Sequence, residues 1–291
     1  MADSKNTIFV NSKKVEVNNV HCDITLLDWL RNYNKLTGTK EGCAEGDCGA
    51  CSVIIEENGS GNLRPINSCL VRLGQVMGDN VTTIEGVGSD KNPHPLQIAF
   101  TNEHASQCGY CTPGFIMSGV SLLNSNKKIT DDTINDAISG NLCRCTGYSP
   151  IIKAIKSVTK PKITQNNNQS IKKNKKITIG NVTYLKPFNL KELKNYLDEI
   201  KNFEFLAGGT DLNLQRPIIN QKEDKVICLG SIVELSKIKH LKEKIVFGGG
   251  VTIESFLEAI RPKMPELVEI LQRFGSPQIR NQGTIGGNLC T

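Results

Sequence analysis

The sequence predicts an α+β multidomain protein, and three observations carry that reading. A glycine-rich loop, Cys43-Ala44-Glu45-Gly46-Asp47-Cys48-Gly49-Ala50-Cys51, follows a short hairpin pattern and an amphipathic helical stretch. From Pro95 to Thr159 the periodicity turns helical and brings a second group of cysteines. After a polar stretch at Lys160–Lys176, the pattern from about Ile177 is mixed α/β.

Composition narrows the function classes. The chain has 291 residues, enough for two or three compact domains. Its net charge of +6 is a small excess gathered in the middle, not the basic stripe of a nucleic-acid binder. The first residues are polar and charged without an apolar core, so no secretory signal is visible. No apolar run approaches the roughly 18 residues of a membrane span. Eleven cysteines is an odd number, and their spacing suits metal loops better than disulfides. A soluble, cytoplasmic chain whose cysteines hold metal is expected.

In order along the chain, Thr7–Val10 and Lys14–Val17 read as a hairpin turning at Asn11-Ser12. Ile24, Leu26, Leu27, Trp29 and Leu30 form a helical face, with Asp23 or Thr25 as cap. The cysteine loop follows, then a strand at Cys51–Glu56, a turn at Asn58-Gly59-Ser60-Gly61, Cys69, and a strand near Val81–Ile84. The loop has the spacing C-x4-C-x2-C with Cys69 as the fourth cysteine, which is the plant-type [2Fe–2S] ligand set. Soft thiolates suit iron, and the glycines let backbone amides approach the cluster sulfurs. A structural zinc site also takes four cysteines, but usually as two C-x2-C knuckles. Hairpin, helix, cluster loop and strand in this order resemble a ferredoxin-type β-grasp domain.

The helical stretch predicts four helices: Pro95–Ala105; Thr112 to about Leu123, with Thr112-Pro113 as cap and first turn; one capped by Thr130 and ended by Gly140; and one opened by Ser149-Pro150 and running through Val158. Cys108-x2-Cys111 precedes the second, and Cys143-x-Cys145 precedes the fourth. A lone C-x2-C would also suit a redox dithiol or zinc. The segments Gln107–Phe115 and Gly140–Tyr148 resemble the signature of the molybdenum hydroxylase family, which includes xanthine dehydrogenase, aldehyde oxidase and carbon monoxide dehydrogenase. That resemblance implies a helical domain holding a second [2Fe–2S] cluster. The implied ligands are Cys43, Cys48, Cys51 and Cys69 for one cluster, and Cys108, Cys111, Cys143 and Cys145 for the other. Cys22, Cys228 and Cys290 remain, and read as ordinary buried thiols.

Lys160–Lys176 is rich in Asn, Lys and Gln and reads as an exposed linker. Beyond it, Leu190–Ile200 is an amphipathic helix, and a strand at Phe203–Leu206 runs into Ala207-Gly208-Gly209-Thr210-Asp211-Leu212. Such a turn can bring amides onto a phosphate, although a purely structural turn would look the same. It is not G-x-G-x-x-G, so a Rossmann fold is not supported. The stretch Phe274–Asn288 resembles the second flavin loop of the same hydroxylases. The resemblance implies that FAD is held by Phe205, Leu206, Ala207, Gly208, Gly209, Thr210, Asp211, Leu212, Phe274, Thr284, Ile285, Gly286, Gly287 and Asn288. Arg280 is set aside as a structural ion-pair partner. His21, His94, His104 and His240 match no catalytic spacing and read as surface or helix residues.

The implied organisation is a plant-type 2Fe-2S ferredoxin (β-grasp) domain over residues 1–85 and a four-helix [2Fe-2S]-binding domain over 86–159. A linker follows over 160–176, then an FAD-binding (PCMH-type) domain over 177–291, incomplete at its C-terminus. The resemblance implies the iron–sulfur/FAD subunit of a xanthine dehydrogenase-like enzyme, with no catalytic residue of its own. It would relay electrons from molybdopterin on a large partner subunit through two clusters to FAD and NAD. A subunit of an aldehyde oxidase or carbon monoxide dehydrogenase type, or a stand-alone two-cluster carrier, stays open. Because family members continue beyond the second flavin loop, a truncated chain with uncertain FAD binding is also expected.

Overall fold

The computed structural model describes residues 6–56, 62–159, 176–214 and 225–291. The expected turn at Asn58–Gly61 and nearly all of the Lys160–Lys176 linker lie outside the described residues.

Strands β1 (Thr7–Val10) and β2 (Lys13–Glu16) pair antiparallel, with Val10 opposite Lys13. Asn11 and Ser12 between them both have positive φ, 49° and 66°, as a two-residue primed turn requires. Asn11 also pins the hairpin: its Oδ1 accepts from Thr83 N at 2.8 Å and its Nδ2 donates to Thr83 Oγ1 at 2.9 Å. Helix α1 (Leu26–Asp28) runs on as a π-helical turn over Trp29–Tyr33. Thr25 is its cap, accepting from Asp28 N at 3.1 Å.

Strands β3 (Ser52–Glu56), β4 (Leu63–Asn67) and β5 (Asn80–Thr82) complete a five-stranded sheet ordered β2-β1-β5-β3-β4, in which only β1 and β5 are parallel. Strand β3 is buried along its whole length, and the two-residue period of a strand shows why. Val53 and Ile55 enter the core under α1, whereas Ile54 enters the core of the following helices.

Those helices are α2 (Pro95–Asn102), α3 (Thr112–Asn124), α4 (Asp131–Ile138) and α5 (Ser149–Ser157). Helix α3 is the centre, buried from Gly114 to Leu123. Thr130 caps α4 as expected, but Thr112 does not cap α3. Thr112 and Pro113 are its first helical residues, Cys111 holds the cap position, and the Thr112 hydroxyl donates to Ser106 Oγ at 2.9 Å. Of the surface or helix positions expected for the histidines, His94 takes the helix one. It is buried and caps α2, its Nδ1 accepting from Leu96 N at 3.1 Å, and burial holds its pKa below the usual imidazole value.

The last part has a four-stranded sheet from β6 (Lys176–Ile179), β7 (Val182–Leu185), β8 (Glu204–Leu206) and β9 (Lys225–Cys228), ordered β6-β7-β9-β8. Helix α6 (Leu190–Glu199) connects β7 to β8. A hairpin of β10 (Ile238–His240) and β11 (Ile245–Phe247) follows, then α7 (Ile253–Ile260), α8 (Pro265–Gln272), α9 (Pro277–Arg280) and α10 (Ile285–Cys290). This sheet has no separate core. Ile177, Ile179, Val182, Tyr184, Leu206 and Val226 join Ile8, Leu26, Trp29 and Val53 in one cluster. Cys228 belongs to it too, its thiol pushed up to about 11 by burial; Cys22 is half-buried at its edge, and Cys290, against expectation, is exposed on α10. Among the described residues, no helix is long and apolar enough to cross a membrane.

Arg280 closes the junction between α9, the helical bundle and α7. Its fully buried guanidinium reaches Asp136 on α4 and Glu254 on α7, each at 2.7 Å. Lys127 pairs with Glu254 and Glu258 at 3.0 Å. Burial alone would push Glu254 up, but the charges of Arg280 and Lys127 outweigh it and hold the carboxyl below its ordinary 4.5. Glu254 therefore contributes stability that is complete above pH 4.5 and lost as pH falls through its lower folded value. Arg280→Ala, which strands Asp136 and leaves Glu254 with Lys127 alone, should cost about 3–5 kcal/mol in a denaturant melt. Glu254→Gln should flatten the acid limb of stability against pH, and an unchanged acid limb would remove Glu254 as its source.

Candidate metal centres and glycine loops

The first cysteine loop has no regular secondary structure, and its backbone turns inward on Cys43. The amides of Glu45, Asp47 and Cys48 point at Cys43 Sγ at 3.5, 3.3 and 3.4 Å. Cys69 arrives on a separate 3-10 turn, Ser68–Leu70, and its sulfur lies 3.3 Å from Cys51 Sγ. Asn67, just before that turn, donates from Nδ2 to Gly46 O at 2.7 Å and so holds the loop over it. Cys51 and Cys69 are buried, while Cys43 and Cys48 are half-buried free thiols that hydrogen-bond to each other.

The second quartet comes from the turn before α3 and the loop before α5. Cys111 pairs with Cys143, and Cys108 with Cys145. Cys143 Sγ lies 3.1 Å from Thr146 Oγ1 and 3.5 Å from Thr146 N, and Cys143 N donates to Tyr148 Oη at 3.0 Å. Tyr148 in turn packs edge-on against Phe115 of α3, with ring centroids 6.0 Å apart. Cys108 and Cys145 are exposed.

The donor chemistry of both sets calls for cations. The Cys69 thiol is pushed far up, first by its bond with Cys51, then by burial and the Cys51 and Cys43 charges. Cys111 is pushed up to about 12 by burial, then by its bond to Cys143 and the charges of Cys143 and Cys108. Four converging thiols cannot all ionise until a cationic core offsets their repulsion. A tetrahedral zinc site would hold its four sulfurs within about 3.8 Å of one another, from Zn–S bonds of about 2.3 Å. Neither quartet closes in that way. Among the described residues, the one group of three or more donors with all ligand atoms within 4.8 Å is His21, Cys22 and Asp23. There Asp23 already pairs with the Arg72 guanidinium at 3.0 Å, which opposes a second cation. The two quartets instead approach pair by pair, the arrangement that suits a two-iron cluster with two thiolates on each iron.

The two loops also touch. Leu142 N donates to Cys48 O at 3.0 Å, Asn141 Nδ2 donates to Gly49 O at 3.1 Å, and Tyr110 Oη donates to Glu41 O. Gly49 lies between them with φ +64°, and a Cβ there would sit 2.1 Å from Gly140 O.

The glycine-rich turn after β8 meets the segment before α10. A Cβ on Gly208 would lie 2.0 Å from Gln282 O. Among the described residues, the amides of Gly208, Gly209, Thr210 and Asp211 have no acceptor. Thr284 caps α10, its Oγ1 accepting from Gly287 N at 3.1 Å, and Gly286 N donates to Gly249 O at 2.8 Å. The residues expected to hold FAD fall into three groups. Ala207, Gly208 and Thr284 line a cavity of about 350 Å³ between the two sheets. Gly209, Thr210, Ile285, Gly286 and Gly287 are half-buried nearby, Asp211 and Asn288 are exposed, and Phe205 and Phe274 are 46% and 42% exposed. Leu206 is buried in the shared core, and Leu212 packs against that core. Gln75, Lys186, Thr252 and Gln282 also line the cavity and have no motif to announce them. Among the described residues Gln282 Oε1 is buried there without a partner, and together with those four amides it fits a ligand bearing both donors and phosphate oxygens.

Comparison with known proteins places this geometry. Residues 8–74 match the family described as "2Fe-2S iron-sulfur cluster binding domain", and residues 83–156 the "[2Fe-2S] binding domain". Residues 177–291 match the "FAD binding domain in molybdopterin dehydrogenase". Xanthine dehydrogenase of Drosophila pseudoobscura pseudoobscura is 30% identical over 99% of this chain, and aldehyde oxidase 1 of Bos taurus is 31% identical over 97%. The chain spans about a quarter of each relative, 26% of its length. Quinoline 2-oxidoreductase of Pseudomonas putida 86 aligns with 38% identity and a TM-score of 0.48, covering 53% of this chain and 90% of that one. A chain that combines two iron–sulfur domains with this flavin domain is an electron-transfer unit. It belongs to the molybdenum hydroxylase family.

Gly49→Ala should lower the melting temperature and reduce iron content, because both loops must move away from the new Cβ. Gly230→Ala, with open space around it, should change neither.

Proposed function

We propose that this chain is the iron–sulfur/FAD subunit of a xanthine dehydrogenase-like molybdenum hydroxylase. It relays electrons from molybdopterin on a large partner subunit through two [2Fe-2S] clusters to FAD and NAD. The observation that carries the reading is a linear order of sites. The exposed edge of the second quartet, with Cys108, Cys145, Tyr110 and Leu142, opens to a partner. Leu142 N–H joins that quartet to Cys48. Leu70, next to Cys69, accepts from Asn213 Nδ2 at 2.7 Å, and Asn213 lies just after the first glycine turn. The order partner face, second quartet, first quartet, flavin loop is the order a relay needs.

When bound, the clusters supply one-electron steps, and the flavin converts these to a two-electron transfer. The residues of this chain hold and shield them. Cys43, Cys48, Cys51 and Cys69 ligate one cluster, and Cys108, Cys111, Cys143 and Cys145 the other. The Glu45, Asp47 and Cys48 amides neutralise charge on Cys43. Free amides at Gly208–Asp211 and the segment Thr284–Asn288 clasp the FAD pyrophosphate. Among the described residues we assign no substrate acid or base, and substrate choice is assigned to the partner. Eight cysteines committed to cluster ligation, a role that disulfide formation would abolish, favour a cytoplasmic location.

The anaerobically reconstituted chain should contain four iron and four acid-labile sulfide per molecule. Cys48→Ser should abolish one reduced-cluster EPR signal and keep the other; a value near two irons in the unsubstituted chain would mean that one quartet is not a cluster site. Gly208→Ala should weaken FAD binding with iron content unchanged. With the molybdopterin subunit present, xanthine should bleach the cluster absorbance and NAD should restore it. Bleaching by an aldehyde alone would move the assignment to the aldehyde oxidase type.

A further inference from the structure

Helix α9 sends three consecutive side chains to three places. Ile279 packs on Leu27, Cys51, Cys69 and Leu70, beside the first quartet. Arg280 pairs with Asp136 and Glu254. Between them, Gln278 is fully buried and enters the seam where the two cysteine loops meet. Its Nε2 lies 3.3 Å from Ser52 Oγ, 3.0 Å from Ser118 Oγ and 3.1 Å from Asn141 Oδ1.

Each of these partners belongs to a different part of the relay. Ser52 follows Cys51 directly, and its hydroxyl donates to Gly49 O at 2.7 Å. Asn141 lies two residues before Cys143, and its Nδ2 donates to the same Gly49 oxygen at 3.1 Å. Ser118, on α3, donates to Asn141 Oδ1 at 2.7 Å. Gln278 therefore touches both loops at the points where they grip Gly49, but it reaches no sulfur in either quartet. Among the described residues its Oε1, which faces Gly140, has no partner, and a Cβ on Gly140 would lie 2.3 Å from it. An amide kept here with one unsatisfied acceptor is a costly choice, about 1–3 kcal/mol. Packing alone would be better served by leucine.

We propose that Gln278 is a positioning residue that sets the register of the two cluster loops from the flavin side. Its amide donates to the Asn141 and Ser52 groups that hold Gly49, and so fixes how the loop of one quartet sits against the loop of the other. This rests on the assignment of the two quartets as [2Fe–2S] sites. Cluster potentials respond to hydrogen bonding at the sulfurs and to solvent exposure. A shift of the shared seam should therefore reach both clusters at once.

The test is a redox titration of the full-length reconstituted chain, followed by EPR, with iron analysis of every sample. Gln278→Leu removes the donor and keeps the bulk, and Gln278→Glu keeps the shape and removes the donor. Four irons per chain in the unsubstituted protein establishes the cluster assignment independently. With four irons retained, both variants should shift the midpoint potentials of both clusters. Asn67→Ala, which touches only the first loop, should shift one. Potentials that stay put, or move at one cluster only, would overturn the proposal. So would loss of iron from both Gln278 variants, since the side chain would then serve folding and not register.

Discussion

Eight thiols that cannot ionise together without a cationic core are the constraint on which the rest of this structure depends. Each quartet needs sulfurs from two separate segments, so neither loop can be placed by local sequence alone. The first segment of each set is a turn with left-handed glycines, Gly46 and Gly49 in one and Gly109 in the other. The second is delivered by the fold: Cys69 by the 3-10 turn after β4, and Cys143 and Cys145 by the loop between α4 and α5. The sheet and the helical bundle thus act as rulers for the loops. Strand β3 is part of both, since Ile54 is packed in the helical core while Val53 and Ile55 face the other side.

This shared strand explains why the parts are less separable than their sequence patterns suggest. The four-stranded sheet buries its apolar face against the first sheet, and Tyr184 fills the space that a Cβ on Gly74 would need. Lys186 adds a polar tie, donating to Gln75 O at 2.7 Å and Met77 O at 3.0 Å. Burying a common core removes more apolar surface than two small cores could, and that matters for units this small. It also limits relative motion, which an electron relay benefits from because its sites must stay at fixed separations.

Much of this was legible from residue patterns, and the failures have physical causes. The Asn11-Ser12 turn and the Thr25 and Thr130 caps were readable because they are local, each made within four residues. The quartets were readable because ligand spacing is a chemical requirement. Thr112 was misread as a cap since its hydroxyl found Ser106 instead, a contact across the turn that spacing does not reveal. His94 read as a surface or helix residue, and it takes the helix role as a buried cap, a burial that a lone histidine does not announce. The stretch Phe274–Asn288 reads as one loop, yet it folds as α9 and α10 around Gly283. Helices of four and six residues are too short to display a 3.6-residue period. Gln75 and Lys186 were invisible as cavity residues because the bonds that bring them to the cavity, to Gly208 and to each other, span more than a hundred residues of sequence.

Arg280 and Gln278 mark the limit of such reading. A buried guanidinium with two carboxylates contributes little net stability over a well-packed apolar substitute, since desolvation offsets most of the attraction. What it adds is a geometric tie, because one side chain of α9 holds Asp136 on α4 and Glu254 on α7, each at 2.7 Å. Gln278 acts similarly with neutral groups, where three acceptors and hydroxyls from β3, α3 and the Asn141 loop converge on one amide. Both side chains lie on a four-residue helix that has almost no stability of its own. Helix α9 therefore exists because its partners are in place, and a misdocked bundle or cysteine loop would leave buried charges and donors unpaired. The segment immediately after it, Thr284–Asn288, follows directly from α9 and is also tied to its own domain, by Ile285 N to Val251 O and Gly286 N to Gly249 O, so its position depends on both sides of the junction.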